Sequence, residues 1–254
     1  LKPSCVRIAQ PELVGLCFWL AMPSEELEKE EQDDDDDIGL VIWPSARTML
    51  RWLTGGATAG SAPEVVGKTL LELGAGTGFL AKGLIEAGVG RMFAFEGSAA
   101  ALENMRKEMQ ALEGRICPMY WNWEESTELP ADVPLEEVDL VIGTDLVYLG
   151  TAEAELAAAF AALLRSDRAK KGLRALILLC DRPPGGEQFL PNPRPDSGTR
   201  AVDRFLGQLA VQELSVRELR LPEDMEVPDL SDYRERLDRA RGETLRLFEL
   251  TSGR

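Results

Sequence analysis

The stretch Thr69-Leu-Leu-Glu-Leu-Gly-Ala-Gly-Thr-Gly-Phe79 constrains the fold of this chain more than any other. Leu70, Leu71 and Leu73 form an apolar run suited to a strand buried on both faces. Gly74, Ala75 and Gly76 carry little or no side chain, so a ligand can approach the backbone closely. The helix expected from about Gly78 to Ala87 turns its unsatisfied amides and positive dipole end toward that loop. A strand, turn and helix of this kind place a nucleotide-type site at the carboxyl end of the first strand of an open α/β sheet. The fingerprint of hydride-transfer cofactors needs a third glycine three places after the second. That place is Phe79, and glycine sits at Gly78 instead, so the dinucleotide pattern is not met.

Composition narrows the chemistry. With 254 residues the chain can bury one sizeable core. It has 28 Lys and Arg against 44 Asp and Glu, a formal net charge of −16. Such a surface repels phosphates and anionic lipid head groups, so neither nucleic acid nor a membrane is the expected partner, and a basic protein segment suits it better. There is no histidine. Catalysis by Ser-His-Asp or Cys-His and imidazole metal ligation are therefore excluded, and the chemistry must run on carboxylates, hydroxyls, amides or a reactive cofactor. Cys5, Cys17, Cys117 and Cys180 are scattered without C-x-x-C spacing, which reads as free thiols in a reducing compartment with no metal site. The longest nearly apolar run, Leu13 to Met22, is too short to span a bilayer.

Three regions follow in order. Residues 1–23 alternate loosely and read as a small β-hairpin-like element; residues 24–38, with five consecutive aspartates from Asp33, read as an acidic flexible linker; residues 39–254 form the main domain. A helix is expected over Pro44–Leu53, followed by a Gly/Ala/Ser/Thr loop from Thr54 to Ala62. Strands are expected at Thr69–Leu73, Arg91–Phe95, Ile116–Trp121, Val138–Gly143, Ala175–Cys180, Glu213–Leu219 and Thr244–Leu250. Helices fall between them at Gly78–Ala87, Ser98–Leu112, Ala152–Leu164 and Arg200–Leu209. Only a Glu/Pro-rich stretch joins the third and fourth strands, so that crossover is short or irregular. The alternation implies a mostly parallel sheet with right-handed crossovers, a Rossmann-like α/β fold. Asp181 to Thr199, rich in Pro and Gly, is a loop at the ligand-binding edge. Leu221 to Arg241 is strongly charged, and Ser231 to Arg241 can form a short exposed helix.

Candidate site residues lie at strand ends. Glu96 closes the second strand twenty residues after Gly76, where an acid accepts hydrogen bonds from ribose hydroxyls. In Tyr120-Trp-Asn-Trp-Glu124, Trp123 is the better candidate to stack on adenine, and Trp121 reads as core. The fourth strand runs into Gly143-Thr-Asp-Leu-Val-Tyr-Leu149. If the chain turns helically there, Asp145 and Tyr148 share a face and point together into the cleft.

Four segments, Gly39-Leu-Val-Ile-Trp-Pro-Ser-Ala46, Leu71-Glu-Leu-Gly-Ala-Gly-Thr-Gly78, Asn122-Trp-Glu124 and Ile142-Gly-Thr-Asp-Leu-Val-Tyr148, occur in this order. Together they resemble the seven-strand protein-lysine methyltransferases with an Asp-x-x-Tyr signature, the methyltransferase-like 21 group within methyltransferase family 16. The resemblance covers Gly39 to Cys180 well and the C-terminal strands more loosely. It implies a seven-stranded sheet with the last strand antiparallel, S-adenosyl-L-methionine as cofactor, and a lysine-bearing protein as acceptor, such as a chaperone or another abundant cytosolic protein. It also implies a monomer in the cytoplasm, with the nucleus as a second location. Trp43, Gly74, Ala75, Gly76, Glu96, Trp123 and Thr144 would contact the cofactor. Asp145 and Tyr148 would form the signature at the reaction centre, with Asp145 holding the incoming amine or, equally, positioning the cofactor. Two other readings stand beside this one: a methyltransferase of another residue type or of a small molecule, and a catalytically silent binding module on the same fold. Glu96 stands where the family often has Asp. The acidic stretch before Gly39 and the loop after Asp181 are not typical of it, which leaves the acceptor open.

Overall fold

The computed structural model describes residues 38–55, 62–112, 114–148, 152–182, 200–226 and 244–253. All of them fall within one of the two units of the chain, residues 37–254. The expected N-terminal hairpin, the acidic stretch 24–37, the loop 183–199 and the helix expected over 231–241 lie outside the described residues.

Seven strands build one sheet: β1 (Thr69–Leu73), β2 (Arg91–Glu96), β3 (Ile116–Tyr120), β4 (Leu140–Thr144), β5 (Arg174–Asp181), β6 (Ser215–Leu219) and β7 (Thr244–Thr251). Their order is β3-β2-β1-β4-β5-β7-β6. The first five pair in parallel, and β7 runs antiparallel between β5 and β6. The expected mixed sheet with an antiparallel last strand is the one observed. In β1 the side chains of Leu70, Leu71 and Leu73 are fully buried, as a central strand covered on both faces requires. The edges carry the less apolar sequences: β3 contains Pro118, tolerated where no neighbour needs its missing amide, and β6 is largely exposed.

Helices α1 (Pro44–Thr54), α2 (Phe79–Glu86), α3 (Ala99–Glu108), α4 (Glu153–Arg165) and α5 (Ala201–Val211) cover the two faces. Alternation along the strands divides the core. Leu71 and Leu73 face one side with Phe93, Val141, Phe160 of α4 and Phe205 of α5. Leu70 faces the other with Met49 and Trp52 of α1, Leu80 and Leu84 of α2, and Met105 of α3. Between β3 and β4 the chain runs as turns anchored by the fully buried Val133, Leu135 and Val138, in line with the irregular crossover expected there. No helix among the described residues is long and apolar enough to cross a membrane.

Candidate active site

The parallel strands aim their carboxyl ends at one edge, and the turns after β1, β2 and β4 meet there with the entry to α1. A cleft of about 260 Å³ opens between them. The turn after β1 needs its glycines, and Gly74 and Gly76 show why. Gly74 has φ +64° and a Cβ there would sit 2.5 Å from Leu146 Cδ2; Gly76 has φ +54° and a Cβ would sit 3.0 Å from the Gly39 carbonyl oxygen. Both positions demand a backbone that L side chains rarely adopt, in space that a methyl group would fill.

Three amides of this turn are engaged within the protein. Ala75 N–H donates to Phe95 O at 2.8 Å, Gly76 N–H to Glu96 Oε2 at 2.7 Å and Gly78 N–H to Ala75 O at 2.8 Å. Ser98 N–H, at the cap of α3, donates to the other oxygen of Glu96 at 2.8 Å. Glu96 thus ties the glycine turn to the start of α3 while lining the cleft. Each of its oxygens has a second lone pair, so hydroxyl groups of a ligand can still donate to it.

Glu72 completes the acidic lining and was not among the expected site residues. It lies on the α1/α2 face of β1, is essentially fully buried, and its Oε2 has no hydrogen-bond partner. Burial pushes its carboxyl well above the usual range and the neighbouring Glu96 adds to this; the backbone amide of Ala81 in the first turn of α2 pulls the other way. Its signal was visible in the sequence: one charge inside an otherwise apolar buried strand. With Glu96 and Glu124 it gives the lining three carboxylates, and no described lining residue is Lys or Arg.

Of the expected cofactor residues, Trp43, Gly74, Ala75, Gly76, Glu96, Trp123 and Thr144 all line the cleft, as does Tyr148. Trp43 precedes Pro44 as the residue capping α1 in extended conformation and is 36% exposed. Trp121 is core: it packs edge-on against Phe95 and its indole N–H donates to Ser126 O.

Asp145 is not part of the lining. The conditional helical turn is not formed, because residues 146–148 run without regular structure and Asp145 itself takes φ +50°. This left-handed step sends Leu146 into the cleft and the Asp145 carboxylate behind it. There both oxygens accept from Arg182, Oδ1 from Nη1 at 3.0 Å and Oδ2 from Nη2 at 2.7 Å. Arg182, which follows β5, escaped the sequence reading because nothing local marks a pairing across 37 positions.

The fold has solved counterparts. The fold is that of a solved S-adenosylmethionine-dependent methyltransferase from Mesorhizobium loti, at 16% identity and TM-score 0.51 over 82% of this chain and 96% of that one. A methyltransferase from Haloferax volcanii, solved with its Trm112 activator, matches at 17% identity and TM-score 0.52 over 83% and 94%. Phosphoethanolamine N-methyltransferase 2 of Haemonchus contortus, solved with S-adenosyl-L-methionine, matches at 11% identity and TM-score 0.52 over 84% and 53%. No curated protein matches the sequence significantly. The model of the lysine methyltransferase family matches residues 21–191, which is most of the chain including every expected site residue, and the chain therefore belongs to that family.

Proposed function

We propose that this protein transfers a methyl group from S-adenosylmethionine to the side-chain amine of a lysine in a protein acceptor. The observation that carries the reading is the charge of the cleft. Among the described residues its lining holds the acids Glu72, Glu96 and Glu124 and no Lys or Arg, and the amides of Ala75, Gly76 and Gly78 are already engaged. A phosphate ligand would find repulsion and few free donors, whereas a nucleoside bearing positive charge is favoured. The residues present thus fit the donor of the family: the glycine turn leaves room at the backbone, Glu96 takes ribose hydroxyls, Trp123 offers a face to the base, and Glu96 and Glu124 make the lining acidic.

When bound, S-adenosylmethionine would supply an electrophilic methyl on a sulfonium: a lysine amine that has given its proton to water attacks the methyl carbon, the N–C bond forms as the C–S bond breaks, and the neutral thioether leaves. The protein's part is to bring the amine in line and exclude water. Trp43 and Tyr148, both in the lining, present aromatic surface that favours a cationic centre. Tyr148 shapes the acceptor slot. Asp145 serves the site through position, because its carboxylate is buried outside the lining and faces Arg182. Asp145→Ala is therefore expected to lower cofactor affinity and turnover together. If affinity holds while turnover falls, the carboxylate receives the amine itself.

Calorimetry with S-adenosylmethionine, followed by methylation of cell extract with labelled donor and peptide mapping, tests the reading. Binding at micromolar concentration and label on lysine are expected. Label on small molecules or on another residue type would overturn the acceptor assignment, and absence of binding would overturn the whole.

A further inference from the structure

Arg182 belongs to neither the glycine motif nor the Asp-x-x-Tyr signature, and it does not line the cleft. Its guanidinium nevertheless meets two segments that do. Its fork holds both oxygens of Asp145, whose side chain is 3% exposed, and its Cζ lies over the indole of Trp43, 5.6 Å from the ring centroid. We propose that Arg182 is a positioning residue for the cofactor cleft, holding the Asp145 turn on one side and the Trp43 wall on the other.

The argument starts at Asp145. A carboxylate buried this deeply must be paired, and removing its partner leaves an uncompensated charge. A non-glycine residue at φ +50° also keeps that conformation only while its surroundings hold it. Arg182 supplies both conditions. If the pair is lost, the carboxylate moves toward water and the turn relaxes. Leu146, now packed against Gly74, and Tyr148 two residues further on then leave their places in the lining. Trp43 at the same time loses the cation over its ring. Lysine cannot substitute, since it is a point charge with neither the fork nor the planar group. Charge alone is therefore not the property at stake.

The inference rests on the cleft being a cofactor site, so the probe is S-adenosylhomocysteine, read by calorimetry without any turnover. Arg182→Lys is compared with the unaltered protein and with Arg174→Lys, which alters a more exposed ion pair, to Glu249, at the opposite end of β5. Arg182→Lys is expected to bind the probe roughly tenfold more weakly with little loss of melting temperature, and Arg174→Lys to bind normally. The double variant Arg182→Met/Asp145→Asn removes the buried charge with its partner and so spares the fold; it too is expected to bind weakly. In protein labelled with 5-fluorotryptophan, the Trp43 resonance, assigned through Trp43→Phe, is expected to shift in Arg182→Lys and stay in Arg174→Lys. Normal binding by Arg182→Lys and the double variant, or an unmoved Trp43 signal, overturns the inference alone. Absence of binding by the unaltered protein overturns the functional reading and takes the inference with it.

Discussion

Glu72 sits on a strand whose other core-facing side chains are leucines, and its raised pKa has a thermodynamic sign that can be worked out. At a pH below the ordinary carboxylate range it is protonated in folded and unfolded chains alike. As pH rises, the unfolded chain releases the proton first, so stability falls until the folded value is passed. Glu72→Gln is expected to remove that fall. Its melting temperature, followed by circular dichroism, should exceed the parent's near about pH 7 and match it near about pH 4. Two positions later, Gly74→Ala places a methyl against Leu146 on a left-handed backbone. A loss of about 1–3 kcal/mol in chemical denaturation is expected, part of it restored by Leu146→Ala. The two glycines and Glu96 were legible in the sequence because turn conformation and the charge at a strand end are local properties. Leu146 was not, since its role exists only where it meets Gly74.

At the scale of elements, Asp139 joins three of them just before β4. It accepts the Thr69 amide of β1 at 2.9 Å and the Lys170 ammonium, ahead of β5, at 2.6 Å. Partial burial pushes its carboxyl up, but Lys170 and the Thr69 amide outweigh this and hold it below the usual range. Stability from this group is present above the unfolded carboxylate range and is lost as pH falls through the lower folded value. Asp139→Asn is expected to cost about 1 kcal/mol at neutral pH, with the difference vanishing in acid. Strand and helix positions followed from alternation and from Gly and Pro punctuation. Ends shifted where tertiary bonds decide them: β5 runs on to Asp181 because β7 pairs along its whole length, and β3 stops at Tyr120.

For the whole molecule the dominant quantity is the net charge of −16. Long-range attraction should draw a basic acceptor segment toward this surface and fade as salt shortens the screening length. Methylation of a lysine peptide flanked by Arg is therefore expected to slow several-fold between roughly 0.05 and 0.5 M salt, while a peptide flanked by Glu changes little or speeds up. Initial rates on the two peptides check this.

Apolar runs, glycine spacing and the acid at the end of β2 point as far as a parallel sheet and a nucleotide-type site, because each acts within a few residues of itself; the cofactor follows from the family resemblance. The direction of Asp145 was of another kind. Its residue type permits a helical turn toward the cleft or a left-handed step away from it. Only the arrival of Arg182 from the carboxyl end of β5, with Leu146 filling the space beside Gly74, makes the second conformation the stable one. Contacts between distant segments weigh such near-equal local choices, and they come into being when the chain has folded.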